Sequence, residues 1–179
     1  MALLEIIDVP HPTLSKVAKP VLPEEIDDDL RRFIQDMIET MKEAPGVGLA
    51  APQVNISKRI LVVDLSSEDP KAEAFALINP EIIECSGEDQ IEEGCLSIPE
   101  FNAKIPRSKK VRVKYLDEYG KEQVIENDGF LAIVLQHEID HLNGITMLDH
   151  VSAMKRFMYL KKIKKRQRQE KFAYVKREP

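Results

Sequence analysis

The residues best suited to chemistry form the hexapeptide from Gln136 to His141, which reads Gln-His-Glu-Ile-Asp-His. In an α-helix, side chains four positions apart lie on one face, so His137 and His141 can bind a single divalent cation. Glu138 then stands beside them as a candidate general base. A catalytic site of the zinc type takes three protein ligands and leaves the next position open for water. A third ligand is therefore expected elsewhere in the chain.

The flanking sequence predicts that this motif lies on a short, mostly buried helix. Asn127 or Asp128 can cap the start, and the apolar residues in 130–135 supply surface to bury. Asn143 and Gly144 follow as a stop signal, because both residue types accept the left-handed conformation that commonly ends a helix.

Cys95 is the best candidate for the third ligand, because a thiolate binds a borderline cation tightly, at about 2.3 Å for zinc. The alternative is a small buried hydrophobe, which is the usual role of a free cysteine. Cys85, in an apolar strand without a motif, is predicted to be buried in that way. Two cysteines are too few for a disulfide framework.

The segment from Gly46 to Gln53 is small and apolar and ends in a single amide. Its glycines let the backbone approach another chain or a ligand closely. Gln53 could donate a hydrogen bond to a developing oxyanion, and a tight turn after a helix is the alternative interpretation. No phosphate-binding glycine motif is present.

Length and composition predict one globular domain spanning residues 1–179, with 43% hydrophobic residues. No apolar stretch approaches the roughly 20 residues that span a bilayer, and the start resembles neither a secretory signal nor a transit peptide, so we expect a cytoplasmic protein. Residues 155–179 hold 11 Lys or Arg and 2 acids, a charge of +9, which leaves −14 for residues 1–154. The basic tail suggests a polyanionic partner, or simply a solvated surface helix.

Periodicity predicts an α+β fold in a single domain. Mixed or antiparallel strands are expected around the buried metal-binding helix, with a C-terminal helix over about 152–179. A further helix is predicted at 24–43, and strands are predicted at 59–64, 75–78, 81–85, 111–116 and 121–125.

Three segments taken together resemble bacterial peptide deformylase: Gly46–Gln53, Glu93–Ser97 and Gln136–His141, in that order. The spacing is also similar, with 42 residues from Gln53 to Cys95 and 42 from Cys95 to His137. The resemblance covers most of residues 5–150. It implies an enzyme that removes the formyl group from the N-terminal formyl-methionine of nascent polypeptides and releases formate.

The resemblance also implies roles for individual residues. The residues that match the metal ligands are Cys95, His137 and His141. They imply one divalent ion per chain, with Fe(II) as the native metal and zinc, nickel or cobalt as possible substitutes. Glu138 matches the general base that later acts as an acid. Gln53 and the backbone N–H of Leu96 match the groups that hold the oxyanion, and Gly48 belongs to the same catalytic group.

A pocket for the methionine side chain is implied as well. The matching residues are Val47, Gly48, Ile91, Glu93, Phe130, Ile133 and Val134. Val47 and Gly48 offer backbone hydrogen bonds to the peptide. Ordinary helix packing stays open for Ile133 and Val134, and Asp140 either orients a ligand imidazole or is a structural carboxylate.

The sequence departs from the best-known bacterial members at Asn102 and Met147, where those proteins carry Arg and Phe. These changes concern peptide contacts and local packing more than chemistry. Arg107 is predicted to lie on the surface, since arginine is usually exposed. His11 and His150 are predicted to be structural, because a lone histidine is seldom a ligand.

Two other functions compete with the deformylase interpretation. A zinc metallopeptidase would need a third His or Glu ligand after His141, and no suitable pattern follows. A ribosome- or RNA-binding module would use the basic tail and would not need Glu138. The deformylase resemblance implies a formylated nascent peptide as substrate, and ribosome docking through the C-terminal helix is a hypothesis that accompanies it.

Overall fold

The computed structural model describes residues 2–66 and 68–177. Its strands are β1 (Gly48–Ala50), β2 (Ile60–Val63), β3 (Phe75–Ser86), β4 (Glu92–Cys95), β5 (Ile98–Lys104), β6 (Lys110–Leu116) and β7 (Glu122–Asn127), and its helices are α1 (Asp28–Glu43), α2 (Phe130–Leu142) and α3 (Ala153–Arg177). Five strands form one antiparallel sheet in the order β1-β2-β3-β6-β7, and β4 and β5 form a separate hairpin. The predicted α+β class is confirmed.

Helix α1 begins later than the predicted start at residue 24. Residues 23–25 form one 3-10 turn, and the side chain of Asp27 then accepts a hydrogen bond of 2.9 Å from the backbone N–H of Leu30. A side-chain acceptor at this position satisfies a backbone donor that the helix cannot pair internally. The cap therefore sets the start at Asp28, and the predicted apolar stripe is buried against β1 and β2.

Strand β3 joins two segments that the sequence pattern separates. Between them lies Asn79, which has a left-handed φ of 51° and sits where the pairing with β6 changes register. The side chain of Asn79 bonds both backbone groups of Val21, at 2.8 and 2.9 Å. Asn79 therefore marks a bulge inside one strand, because a distant segment satisfies its polar side chain.

Two segments are strands that the pattern does not predict. Strand β4 contains two glutamates and Gly94 and has no apolar run, and β5 contains Pro99, a residue that disfavours strands, although its apolar residues alternate from Pro99 to Ala103. The glycine-rich segment contributes β1, which pairs with β2 and is fully buried. Both segments border the region where the predicted site residues lie.

Helix α2 packs against β1 and β2 and is buried over most of its surface. Of the two predicted caps, Asn127 and Asp128, Asn127 caps the helix. Its side chain accepts hydrogen bonds from the backbone N–H groups of Gly129, at 2.8 Å, and Ala132, at 3.1 Å. After the helix, Gly144 has a φ of +73°, and a Cβ there would lie 2.8 Å from the backbone oxygen of Ser15. Both ends of α2 are therefore fixed by specific residues.

The predicted C-terminal helix is confirmed as α3, and positions 178 and 179 of that prediction lie outside the described residues. It is attached to the hairpin by one face, on which Tyr159 donates a hydrogen bond of 2.8 Å to the backbone oxygen of Pro99 and Ile163 is buried. Further along, Arg166 binds both carboxylate oxygens of Glu100, at 2.8 and 3.2 Å. Among the residues described, none of the helices is long and apolar enough to span a membrane.

Replacing Asn127 with alanine should lower the free energy of unfolding by about 1 kcal/mol, because the N–H of Gly129 loses its acceptor and the N–H of Ala132 keeps only its bond to the backbone oxygen of Gly129. Urea denaturation followed by circular dichroism measures this change. Asp128→Ala is the matched control, since Asp128 is exposed and its side chain makes no hydrogen bond to the described residues. Equal losses in the two variants would contradict the assignment of the cap.

Candidate metal centre

Three side chains on two elements converge at one point. Cys95 ends β4, and His137 and His141 lie one turn apart on α2. Their ligand atoms all lie within 4.8 Å of one another, and the Sγ of Cys95 is 3.4 Å from Nε2 of His141. One sulfur and two imidazole nitrogens at this separation suit a single borderline divalent cation. The predicted third ligand is thus brought to the predicted helix.

The surroundings of the two imidazoles affect their charged forms in opposite ways. Burial lowers the pKa of His137, but contacts with the Cys95 thiol and the Glu93 carboxylate outweigh it and raise that pKa well above its ordinary value. Burial lowers the pKa of His141 well below its ordinary value. Metal binding requires a thiolate and neutral imidazoles, so a cation takes the place of the proton that this environment would otherwise hold. The donor set and its charges therefore fit a divalent metal.

Glu138 lies beside the ligands and is buried. Its Oε1 is 3.7 Å from Nε2 of His137, and its Oε2 makes no hydrogen bond within the described part of the chain. Burial raises the pKa of Glu138 to about 7, with smaller opposing effects from the positive charges of His137 and Arg107. A buried carboxylate oxygen without a protein partner is available to a ligand.

Gln53 approaches the centre from the other side. Its Oε1 accepts a hydrogen bond of 2.9 Å from the backbone N–H of Ala50. That bond fixes the amide so that Nε2 faces Ser97 Oγ at 3.1 Å and Cys95 Sγ at 3.7 Å. The side chain is almost fully buried. A fixed N–H donor therefore stands next to the thiol, and the oxyanion role of Gln53 stays a prediction.

Glu93 has a role that the sequence pattern does not indicate. Its Oε1 lies 3.0 Å from Nδ1 of His137, and since a carboxylate only accepts, the imidazole donates from Nδ1 and leaves Nε2 available to a metal ion. Glu93 also accepts two hydrogen bonds from Arg107, at 2.9 and 3.0 Å. In a strand, residues two apart share a face, so the position of Glu93 two residues before Cys95 is the signal that could have found it.

The prediction that Arg107 lies on the surface is wrong. Its side chain is only 4% exposed and is held between Glu93 and Asp140, whose Oδ2 is 2.6 Å from Nη1 of Arg107. An arginine can be buried where carboxylates compensate its charge. Asp140 binds this guanidinium and makes no hydrogen bond to a ligand imidazole among the described contacts.

A cavity of about 340 Å³ opens at the ligands. All residues predicted to bind substrate line it, together with others: Val47, Gly48, Ile91, Glu93, Cys95, Leu96, Phe130, Ile133, Val134, His137 and Glu138 are among its walls. A Cβ on Gly48 would lie 2.9 Å from Cγ of Glu138, so only glycine lets β1 pass this close to α2. Ile133 and Val134 both line the cavity and are buried, so neither of their two interpretations excludes the other.

Other singled-out residues lie elsewhere. Cys85 is exposed on β3, so its predicted burial is wrong. It lies near the C-terminal end of β3, where the residues of the strand are exposed. His11 is structural as predicted, since its Nδ1 accepts a hydrogen bond of 3.1 Å from the backbone N–H of Thr13. Met147 is buried in the core beneath the hairpin, and Asn102 is exposed on β5.

Comparison with known proteins gives consistent matches. The sequence profile of a family described as Polypeptide deformylase matches residues 3–157. A peptide deformylase of Rhizobium meliloti is 45% identical over 166 residues, covering 92% of this chain and 94% of that protein. One of Brucella suis is 49% identical over 167 residues, covering 92% and 94%.

Solved structures match equally well. A crystal structure of a peptide deformylase from Legionella pneumophila has a TM-score of 0.86 at 43% identity, and the match covers 99% of this chain and 100% of that one. A structure of peptide deformylase from Ehrlichia chaffeensis in complex with actinonin has a TM-score of 0.87 at 40% identity, covering 94% and 99%.

Exchange of one sulfur for oxygen tests the ligand set. Cys95→Ser should bind Co(II) at least about 100-fold more weakly than the unaltered protein and should lose the thiolate-to-cobalt charge-transfer absorption, because one of three ligands is gone. Titration with Co(II) under anaerobic conditions measures both effects. Cys85→Ser is the matched control and should bind as before. A charge-transfer band that survives in Cys95→Ser would remove Cys95 from the site.

Proposed function

The chain belongs to the polypeptide deformylase family, and from that membership we propose how its own residues share the reaction. It is a metal-dependent hydrolase that removes the N-formyl group from the N-terminal methionine of newly made polypeptides and releases formate. The observation that carries the proposal is the convergence of Cys95, His137 and His141 at the wall of one cavity, with Glu138 beside them.

Cys95, His137 and His141 hold one divalent ion, which is Fe(II) in the native protein and which zinc, nickel or cobalt can replace. The donor set supports a divalent ion of this group without selecting one, since imidazole and thiolate suit all of these metals, and the choice of Fe(II) follows from the family resemblance. When bound, such an ion polarises a carbonyl group and makes water nucleophilic near neutral pH. Cys95 and His137 face the cavity, so the substrate reaches the ion from that side.

Glu138 moves the proton. Glu138 lines the cavity, and its buried Oε2 has no hydrogen-bond partner among the described residues, so it can accept a proton from the attacking water. The same oxygen then delivers that proton to the amine nitrogen as the bond between nitrogen and the formyl carbon breaks. Gly48 supports this role, because its missing side chain leaves the space that the Glu138 carboxylate occupies.

The developing oxyanion is held by the Nε2 amide of Gln53 and by the backbone N–H of Leu96. Each donor of this kind contributes roughly 3 kcal/mol to the transition state in comparable sites. The support for Gln53 is its fixed amide, which Ala50 orients toward Cys95. Leu96 follows Cys95 directly in the turn of the hairpin, so its backbone stays next to the reacting group.

The apolar side of the cavity binds the methionine side chain. Phe130, Ile133 and Val134 form its α2 wall, and Ile91 lies in the segment directly before β4. Such apolar walls pack well against a flexible, polarisable thioether. The backbone of Val47 and Gly48, at the start of β1, forms hydrogen bonds with the peptide chain of the substrate. A metallopeptidase is not favoured, since the third donor near the histidines is a cysteine.

Glu138→Ala should lower the release of formate from formyl-Met-Ala-Ser by at least about 1,000-fold while one metal ion per chain is retained, because the ligands stay and only the proton carrier is lost. Formate is measured by a coupled dehydrogenase assay, and metal by elemental analysis of the same anaerobic samples. Turnover near that of the unaltered protein would contradict the acid-base role. Metal loss would instead show that Glu138 is needed for the site itself.

We also propose that the protein is cytoplasmic and that the basic helix α3 docks on the ribosome, where its substrates emerge. The support is the distribution of side chains on α3. One face carries Tyr159 and Ile163 against the body, whereas Lys161, Lys165 and Arg168 are exposed on the opposite side. Cations arranged in this way bind polyanions such as RNA in a salt-dependent manner.

Replacing Lys161, Lys165 and Arg168 together with glutamate should abolish co-sedimentation with ribosomes at low salt and spare activity on short formyl peptides. The docked face of α3 is untouched, so the helix stays in place. The matched control replaces three exposed lysines of the body, Lys71, Lys109 and Lys121, with glutamate, which changes the net charge equally. Unchanged co-sedimentation of the α3 variant, or equal losses in both variants, would contradict docking through α3.

A further inference from the structure

A second, larger depression lies behind the metal centre. This rear groove has a volume of about 880 Å³ and is open to solvent. Its lining includes residues 87–90 and 106–108 together with Gln136, Asp140 and His150. Arg107 lines the rear groove, while Glu93, to which Arg107 is bonded, lines the substrate cavity. One buried ion pair therefore separates the two depressions.

Continuous polar contacts connect the rear groove with the metal centre. Nδ1 of His137 is 3.0 Å from Glu93, whose carboxylate takes two hydrogen bonds from Arg107. The opposite side of the guanidinium donates to Oδ2 of Asp140 at 2.6 Å, and that same oxygen is 2.8 Å from Nε2 of His150. We propose that Asp140 and His150 are positioning residues that set the orientation of His137 through Arg107 and Glu93.

The rigid guanidinium of Arg107 explains how Asp140 can affect the orientation of His137. It is a planar group with donors in fixed directions, so an acceptor at each end determines where the plane lies. Glu93 provides the inner acceptors and Asp140 the outer one. Since Oε1 of Glu93 binds both Arg107 and His137, a tilt of the guanidinium moves the oxygen that orients the imidazole.

The backbone around Arg107 is also held, which limits how the side chain can adjust. Arg107 and Asp89 exchange two backbone hydrogen bonds of 2.9 Å each. Next to it, Ser108 exchanges two bonds of 2.8 Å with the side-chain amide of Gln136 on α2. With its backbone fixed to α2, Arg107 can respond to the loss of Asp140 mainly by rotating its side chain.

His150 completes the outer end. Asp140 accepts from Arg107 and His150 on one oxygen, so His150 must donate from Nε2, and it holds the carboxylate from the solvent side. Side-chain exposure rises outward along the series, from 5% at Glu93 and 4% at Arg107 to 22% at Asp140 and 32% at His150. The outer pair can therefore be altered without opening the core.

The two ligand histidines differ in their dependence on this series. His137 is oriented by Glu93, whereas Nδ1 of His141 is buried and finds no hydrogen-bond partner in the described part of the structure. His141 contacts the Cys95 thiol through Nε2, but among the described residues nothing fixes its Nδ1. Loss of the outer pair should therefore weaken one ligand of three and leave the centre assembled, which predicts a graded effect. The proposal rests on the role of His137 as a metal ligand proposed above.

The test compares Asp140→Asn and His150→Phe with His150→Gln, in which an amide can still donate to Asp140. We expect Asp140→Asn to bind Co(II) about threefold to tenfold more weakly, less than the effect of removing a direct partner of a ligand. His150→Phe should weaken binding about twofold to threefold, and His150→Gln should restore it. The double variant Asp140→Asn/His150→Phe should bind Co(II) no more weakly than Asp140→Asn alone, because both residues act through Arg107.

Three readouts separate positioning from general stability: Co(II) affinity by competition with a chelator, the visible spectrum of the bound Co(II), and the thermal midpoint of the metal-free protein. On short formyl peptides we expect kcat to fall with KM unchanged. The matched control is Glu126→Gln, which removes a surface ion pair of 2.6 Å with Lys110 far from the centre and should change none of these.

An unchanged Co(II) affinity and spectrum in Asp140→Asn would overturn the proposal, even with a lower thermal midpoint, because the pair would then be structural only. Equal effects of His150→Phe and His150→Gln would remove His150 from the series. The metal readouts are independent of the deformylase reaction. If the unaltered protein bound Co(II) but released no formate, the proposed function would fail while the comparison of variants would still decide this inference.

Discussion

Helix α2 carries two imidazoles and a carboxylate into the interior, and polar groups that leave water must find partners there. The apolar face of α2 packs on the large sheet, so the partners have to come from the other side. They come from the hairpin of β4 and β5. Glu93 binds His137, and Cys95 reaches His141. Glu138 Oε2 and His141 Nδ1 are the buried side-chain atoms in the described residues that lack a hydrogen bond.

The position of the hairpin is therefore as important as the motif on α2, and several distant segments hold it. Tyr159 and Arg166 of α3 bind β5. The N–H of Val9 donates a hydrogen bond of 2.9 Å to the backbone oxygen of Ser97 in the hairpin turn. An apolar cluster that includes Leu14, Ile98, Ile105, Met147, Leu148 and Ile163 fills the space beneath it.

The opposite wall of the site shows why small residues are needed there. Strand β1 is buried between α1 and α2. It passes so close to Glu138 that a Cβ on Gly48 would clash with the Glu138 side chain. Gln53 follows one turn later and directs its amide at the thiol. A rigid sheet edge, rather than a mobile loop, therefore carries the groups proposed to face the substrate.

The local features of the site were predictable from sequence. The spacing of His137 and His141 specifies a common face, and the cap at Asn127 and the stop at Gly144 bound the helix, because helix periodicity and capping depend on residues a few positions apart. Cys95 was reached by its residue type and by resemblance to a known family. These residues are brought together as expected.

Only the tertiary structure decided which charged side chains are buried and where strands continue. Arg107 lies 14 residues from Glu93 and 33 from Asp140, so no local pattern indicates that two carboxylates will enclose it. Asn79 continues a strand because Val21, 58 residues away, satisfies it, and Cys85 is exposed because its end of β3 leaves the core. In each case the decisive partner is distant in the chain, and the free energy of burying a polar group depends on that partner.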